Sequence, residues 1–469
     1  MPELTKRERM HMERTQMPMR DNLLRAADFD EVNIGFDNEM AMLEASRCLE
    51  CKNPTCVAGC PVGIQVDQFI INVAAGDIKT AASIILADNL FPSICGRVCP
   101  QEAQCEGACV LGRKGRPIAI GHLERYVGDK VRDDELFEAP PTAAPTGKKV
   151  AIIGSGPAGL ACAGDVIQQG HEVTVFEALH ELGGVLVYGI PEFRLPKDIV
   201  KAEIASLSER GVEFETDVLI GSGTTLEDLM TEEGFDAVFI GTGAGLPRFP
   251  GIDGEHLIGV YSANEFLTRV NLMKAHEADS ETPVYDLTGR SVVVLGGGNT
   301  AMDGARTALR LGAKSVKLLY RRSAEEMPAR DEEIEHAIEE GVDIQYLVAP
   351  TSFNGEDGWL RSVTTQRMEL GEPDENGRAR PEPIDGAFEV VEADVAVVAI
   401  GNAPNPVLQR TTPDLDTTRW GTIEADEETG QTSIPGVFAG GDITTGGATV
   451  ILALAAGRSS AAAINEYLA

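Results

Sequence analysis

Eight of the nine cysteines fall between Cys48 and Cys109, and their spacing is the strongest chemical signal in the chain. Cys48, Cys51, Cys56 and Cys60 follow C-x2-C-x4-C-x3-C with Pro61 next; Cys95, Cys99-Pro100, Cys105 and Cys109 form a second group. Thiolates suit both iron–sulfur clusters and zinc. Zinc sites usually show paired Cys-x2-Cys knuckles separated by a longer loop. A Cys-Pro ending is the ferredoxin-type signature, in which the Cys before Pro ligates the other cluster of a pair. Together with the flavin-type loops below, the pattern predicts two [4Fe–4S] clusters rather than structural zinc.

Two glycine loops carry a second chemistry. Gly154, Gly156 and Gly159 stand in GxGxxG spacing after the apolar run Lys149–Ile153. One Gly makes a strand-to-helix turn, one lets backbone amides approach a pyrophosphate, and one permits close helix–strand packing. The helix N-terminus then favours negative charge. Glu177, after the run His171–Phe176, is placed to bind ribose hydroxyls. Gly183 and Gly184 read as a loop where a flavin lies close to the backbone. Gly440-Gly441-Asp442 would bring amides and a carboxylate to a ribityl–phosphate arm. A lone GxGxxG is weak evidence, and Asp after two glycines is usually a turn; in combination they point to FAD.

The second loop offers Gly296 and Gly298, then Asn299, Thr300 and Ala301, after the run Ser291–Leu295. The strand that follows, Ser315–Leu319, ends in Tyr320-Arg321-Arg322 rather than an acid. A carboxylate there would repel a 2′-phosphate and guanidiniums would bind it. The bland alternative is an exposed basic pair on an acidic surface. The position favours NADPH over NADH.

These groups need elements to hold them. Short helices, for example Glu39–Cys48 and Val66–Ala75, should carry the cysteines, with Gly and Pro between them. A Pro/Ala/Thr-rich stretch from Ala139 to Gly147 reads as a linker. After it the strand–Gly loop–helix–strand grammar appears twice, an internal duplication of a βαβ unit. Val437–Asp442 and a small-residue helix from Thr449 to Ala463 look like the end of the first module, which makes the second an insertion. Val238–Gly243 and Val397–Gly401 are the expected crossings. The expected fold is α/β: a helical two-cluster domain (1–140), an FAD domain (148–247 with 401–469) and an NADPH domain (248–400), the last two Rossmann-like.

At 469 residues the chain is long enough for several such cores. Lys and Arg number 40 against 74 Asp and Glu, a net charge of −34, which disfavours nucleic acid and anionic membranes. The N-terminal residues are too charged for a signal peptide, and Ala448–Gly457 is too short to span a bilayer. A reducing, cytoplasmic setting is expected, where metal binding by cysteine is commoner than disulfides.

In combination, the cysteine pattern, the two dinucleotide loops and the terminal Gly-Gly-Asp resemble the small (β) subunit family of NADPH-dependent glutamate synthase. The same module occurs in the N-terminal part of dihydropyrimidine dehydrogenase. It also forms the large subunit of an electron-bifurcating NADH-dependent reduced ferredoxin:NADP oxidoreductase. The resemblance implies one cluster on Cys48, Cys51, Cys56 and Cys109, and another on Cys60, Cys99, Cys105 and Glu124. Composition alone would choose Cys95 over Glu124 as a ligand; the resemblance reverses that choice. It leaves Cys95 and Cys162 as buried small residues. It also sets Tyr188–Pro196 near the flavin ring and Tyr320–Ala329 near NADPH.

The resemblance further implies electron flow between NADPH, FAD and the clusters to a partner. That partner would be a glutamate synthase large subunit or, in the bifurcating alternative, ferredoxin and a smaller flavoprotein; an oligomer is expected. Two competing readings remain. A thioredoxin reductase-type enzyme needs a Cys-x-x-Cys beside the flavin, yet no cysteine follows Cys162. A zinc scaffold with decayed nucleotide sites conflicts with the intact glycine loops.

Overall fold

The computed structural model describes residues 4–134, 142–277, 279–283, 285–373 and 377–469. The first residues of the proposed linker, 139–141, lie outside them.

The cysteine-rich part is helical: Asn38–Ala45, Val66–Ala75, Ile78–Asp88, Pro92–Val98 and Ile120–Asp133. Asp37 and Asp77 cap two of these helices by accepting from Met40 N–H and Thr80 N–H, contacts worth about 1 kcal/mol each. Apolar residues at helical spacing, Phe69, Ile70 and Val73 from one helix and Leu123, Tyr126 and Val127 from another, close one core with Ile85. Each large aliphatic buried there contributes about 1.5–3 kcal/mol. The first helix stops at Ala45, not Cys48: Ser46 is its C-cap, and Cys48 N–H turns back onto Ala45 O. That turn frees the first cysteines from helical geometry.

Two five-stranded parallel sheets follow. The first has spatial order 437–439, 237–240, 149–153, 172–176 and 213–215. Its outermost strand, Val437–Ala439, comes from the C-terminal part of the chain and pairs with Ala237–Ile240. The second sheet runs 260–262, 395–398, 291–295, 315–320 and 343–346. It is therefore an insertion into the first module. The two crossings lie side by side, Leu246–Pro247 antiparallel to Asn402–Ala403. In each sheet the glycine loop leaves the central strand where the strand order reverses, the usual binding crevice of doubly wound sheets.

Two features lay beyond the sequence reading. A three-stranded antiparallel sheet, Val348–Glu356, Trp359–Pro373 and Ala379–Glu392, extends from the second module. The last helix runs from Val450 to Leu468, past Ala463.

The three parts are packed together. Phe91, Ile94, Cys95, Val98 and Cys99 of the helical part share one apolar core with Leu160, Val187, Ile190 and Leu454 of the first α/β module. The N-terminal segment reaches all three: Val32 N–H bonds Phe193 O at 3.0 Å, Asn33 donates to Glu332, and Arg97 pairs with Glu31 at 2.8 Å.

Candidate functional site

The first glycine loop divides the three expected roles among its residues. A Cβ on Gly159 would sit 1.9 Å from Gly154 O, so this position must be Gly for the helix to lie on the strand. Gly154 has φ +105°, and a Cβ there would press on Gly241 O at 2.6 Å. A Cβ on Gly156 would meet nothing within 4 Å: the space beside it is open. One position is closed by packing, one by turn geometry, and one is kept clear, as a pyrophosphate needs.

Glu177 sits buried at the end of its strand. Its Oε2 accepts from Ser155 N–H at 3.0 Å, and Oε1 accepts from Leu179 N–H at 2.9 Å. Ser155 Oγ in turn accepts from Gly183 N–H at 2.9 Å, tying the second glycine turn to the first. Gly184 lies against Gly156, where an added Cβ would be 2.9 Å from its Cα, and Gly441 packs on Ala158. Asp442 Oδ1 accepts from Ala448 N–H at 3.0 Å, and burial pushes its carboxyl up. Tyr188 is pushed up to about 12 by burial and by the facing carboxylates of Asp442 and Glu177. Gly154, Gly156, Gly159, Glu177, Gly183, Gly184, Gly441 and Asp442 thus converge on one crevice. Ser155, which links two of its turns, was not singled out in the sequence because a lone Ser carries no signal.

The second loop repeats the plan. Gly296 lies close to Ala399 O and Gly297 against the Tyr320 ring, while Gly298 faces open space. Thr300 is exposed. Asn299 Oδ1 accepts from Arg330 N–H at 3.0 Å, so this side chain holds the 329–331 turn. Arg321 is exposed, whereas Arg322 is buried and its Nε donates to Ala379 O at 2.8 Å. A third guanidinium joins them. Arg378 donates to Tyr320 Oη at 3.1 Å and Glu326 O at 2.7 Å. Burial and then the charges of Arg322 and Arg378 push the Arg321 pKa down. Crowded like charges of this kind favour an anion. Arg378 was missed because it enters from just before the strand Ala379–Glu392, 56 residues beyond Arg322.

The cysteines separate into two groups. Cys48, Cys51, Cys56 and Cys109 line one surface pocket with Pro54, Asp67 and Ile118. Burial, followed by the neighbouring thiols, pushes Cys48 up to about 11 and Cys56 up to about 12. Glu124 acts on Cys60 and Cys105: burial and then the Glu124 charge push the Cys105 thiol up. At Cys60 burial leads and Glu124 adds to it. At Cys99 a hydrogen bond with Cys95 leads, then burial and Glu124. Glu124 itself is pushed up to about 7 by burial. Neutral thiols and acids in such dry sites keep their protons until a cation displaces them.

Among the described residues no three His, Cys, Asp or Glu side chains converge on a single ion position. A four-iron cube holds its ligands further apart than one zinc ion does. The donor chemistry and its division into four plus four fit the clusters. Cys95 and Cys162 are fully buried in the apolar core, and all nine cysteines are free.

The flavin-side loop and the inserted module are bolted together by charge. Arg194 Nη1 donates to both carboxylate oxygens of Asp303 at 2.8 Å, and its Nε lies 3.3 Å from Glu333 Oε1. Arg306 pairs with Glu333 and Glu340, Arg310 with Glu340 at 2.7 Å, and Arg25 with Glu340 at 3.2 Å. Phe193 lies under Arg306 and Arg310, with ring-centroid distances of 4.7 and 3.8 Å. Burial alone would raise Glu333 and Glu340, but the surrounding guanidiniums outweigh it and hold both at about 2. Asp303 goes the other way, raised by burial to about 6.

This is the architecture of a two-dinucleotide flavoprotein reductase with a cysteine-rich helical domain ahead of it. Residues 148–457 match the family described as pyridine nucleotide-disulphide oxidoreductase. Residues 25–136 match dihydropyrimidine dehydrogenase domain II, 4Fe-4S cluster. The glutamate synthase (NADPH) small chain of Halomonas elongata is 40% identical over 448 residues, 95% of this chain and 94% of that one. The same-named chain of Escherichia coli K12 is 38% identical over 464 residues, covering 97% and 98%.

Two solved structures share the fold. Mycobacterium tuberculosis FprA in complex with NADPH has a TM-score of 0.56 at 21% identity over 69% of this chain and 85% of that chain. The thioredoxin reductase of T. acidophilum has a TM-score of 0.51 at 18% identity over 68% of this chain and 98% of that chain. The chain belongs to the glutamate synthase (NADPH) small chain family. It is an oxidoreductase whose cofactor set is FAD, NADPH and 4Fe-4S. Among the described residues no helix is long and apolar enough to cross a membrane.

Proposed function

We propose that this chain passes electrons from NADPH, through FAD and two [4Fe–4S] clusters, to a larger glutamate synthase subunit. The observation that carries this reading is the layering of the cysteines. Cys99 lies in the apolar core shared with the flavin-type module, whereas Cys48, Cys51, Cys56 and Cys109 line a surface pocket. With the ligand sets that the family resemblance implies, Cys60, Cys99, Cys105 and Glu124 would form the inner set, and Cys48, Cys51, Cys56 and Cys109 the outer set toward a partner.

Bound FAD would supply the change from two-electron to one-electron chemistry that lets a nicotinamide serve one-electron centres. The protein's own residues supply position. The amides after Gly154 and Gly156, with Glu177, would hold the FAD pyrophosphate and ribose; Gly183, Gly184, Gly441 and Asp442 would receive the remainder. Gly296 and Gly298 would cradle the NADPH pyrophosphate, Asn299 and Thr300 open the helix beneath it, and Arg321, Arg322 and Arg378 would take the 2′-phosphate. The Arg194–Asp303 pair keeps the two modules in register. No side-chain acid, base or nucleophile is required.

The sheet pairings support module boundaries near residues 247 and 400. The small-chain relatives favour the glutamate synthase role over the electron-bifurcating one, and cytoplasmic location and assembly with a larger subunit follow from that role. A Cys51→Ser variant tests the layering. NADPH-driven reduction of ferricyanide at the flavin should persist, while transfer to a glutamate synthase large subunit is lost. Loss of neither would contradict an outer cluster on the exit path.

A further inference from the structure

Asn89 is fully buried and ends the helix Ile78–Asp88 as its C-cap, with its backbone N–H on Ile85 O at 2.8 Å. Its side chain is oriented by three contacts. Oδ1 accepts from Phe91 N–H at 3.0 Å and from the Cys95 thiol at 3.7 Å. Two donors on one end settle which end is oxygen, because a carboxamide nitrogen can accept from neither. Nδ2 must therefore point the opposite way, and it donates to Glu124 Oε1 at 2.7 Å. That is the only hydrogen bond to the Glu124 carboxylate among the described residues.

We propose that Asn89 is a positioning residue for the carboxylate-ligated cluster. It ties down one oxygen of Glu124, leaving the other for iron, and it holds the Cys95 thiol out of the ligand set. The inference rests on the reading above that Cys60, Cys99, Cys105 and Glu124 hold a cluster. A backbone cap would explain the buried main chain at this position, but not an amide whose two ends address the two rival fourth ligands. Such outer contacts orient metal ligands and tune the centre, commonly by 10–100-fold in affinity or activity (about that range). A hydrogen bond to a ligand oxygen also withdraws negative charge, so removing it disfavours the reduced cluster.

The test uses the holoprotein and four substitutions, read by EPR-monitored redox titration and by iron and FAD content. Asn89→Leu removes both ends of the amide; Asn89→Asp keeps an acceptor but turns an oxygen toward Glu124. Both should lower the midpoint potential of the inner cluster, Asp more than Leu. The outer cluster signal, FAD content and NADPH–ferricyanide activity should stay unchanged. Cys95→Ser alone should leave the inner signal as it is, but alter it in the Asn89→Leu background. If Leu fails to fold, seen as loss of FAD, Asp decides.

Unchanged inner potentials in the Asn89 variants, alongside a Glu124→Ala variant that does perturb the cluster, would overturn the role of Asn89 alone. If Glu124→Ala also leaves the cluster unchanged, the ligand reading falls. An effect of Cys95→Ser by itself would overturn the exclusion of Cys95.

Discussion

Arg194 Nη1 donates to both carboxylate oxygens of Asp303 at 2.8 Å across the junction of the flavin-side loop and the inserted module, each side chain only 5% exposed. Neither charge has water to return to. Removing one partner of such a pair costs about 3–5 kcal/mol, because the other is left buried and uncompensated. Arg194→Ala should lower thermal stability and slow NADPH-dependent flavin reduction. A melt by differential scanning calorimetry, with stopped-flow absorbance, checks both effects.

The same network sets a pH dependence with two arms. Glu333 and Glu340 are held at about 2 against an ordinary 4.5. Their contribution is complete above about pH 4.5 and fades as pH falls toward 2. Asp303 is raised to about 6 from 3.8, so its burial costs stability as pH rises through that window. The Asp303→Asn variant should lose the upper arm and keep the lower one. Chemical denaturation between pH 3 and pH 7 (roughly the range set by these shifts) measures it.

Gly156 and Gly159 should fail differently. Gly159→Ala drives a Cβ into Gly154 O and should damage the fold with or without cofactor. Gly156→Ala meets no protein atom. It should leave the apoprotein melt unchanged while FAD content falls sharply. Equal effects of the two on the apoprotein would contradict the cradle.

The arginine cluster predicts a cofactor preference. Arg321→Ala and Arg378→Ala should each raise the KM for NADPH by about 10- to 100-fold, the scale of a lost charge-assisted hydrogen bond. The KM for NADH should change little. Steady-state kinetics with both nucleotides checks this, and parallel losses would remove the 2′-phosphate assignment.

Much of this was legible in the sequence because it depends on local rules. The GxGxxG turns, the strands before them and the insertion of one module into another follow from spacing and repetition. The two-cluster division of the cysteines did not follow from spacing alone: choosing Glu124 over Cys95 required a family resemblance. Arg378, Asn89 and the Arg194–Asp303 pair were invisible for one shared reason. Each acts on a residue far away in the chain, and its residue type alone says nothing about that partner. The antiparallel sheet beside Arg378 was missed although Asp357-Gly358 and Asn376-Gly377 are hairpin turn signals, and its register is interrupted between Gln366 and Met368.

The most direct test is a metal and flavin count on the purified holoprotein, followed by anaerobic reduction monitored by absorbance and EPR. One FAD should be bleached by NADPH, with about eight iron atoms per flavin and two distinguishable [4Fe–4S] signals on full chemical reduction. A flavin accompanied by zinc, or by a single cluster, would contradict this.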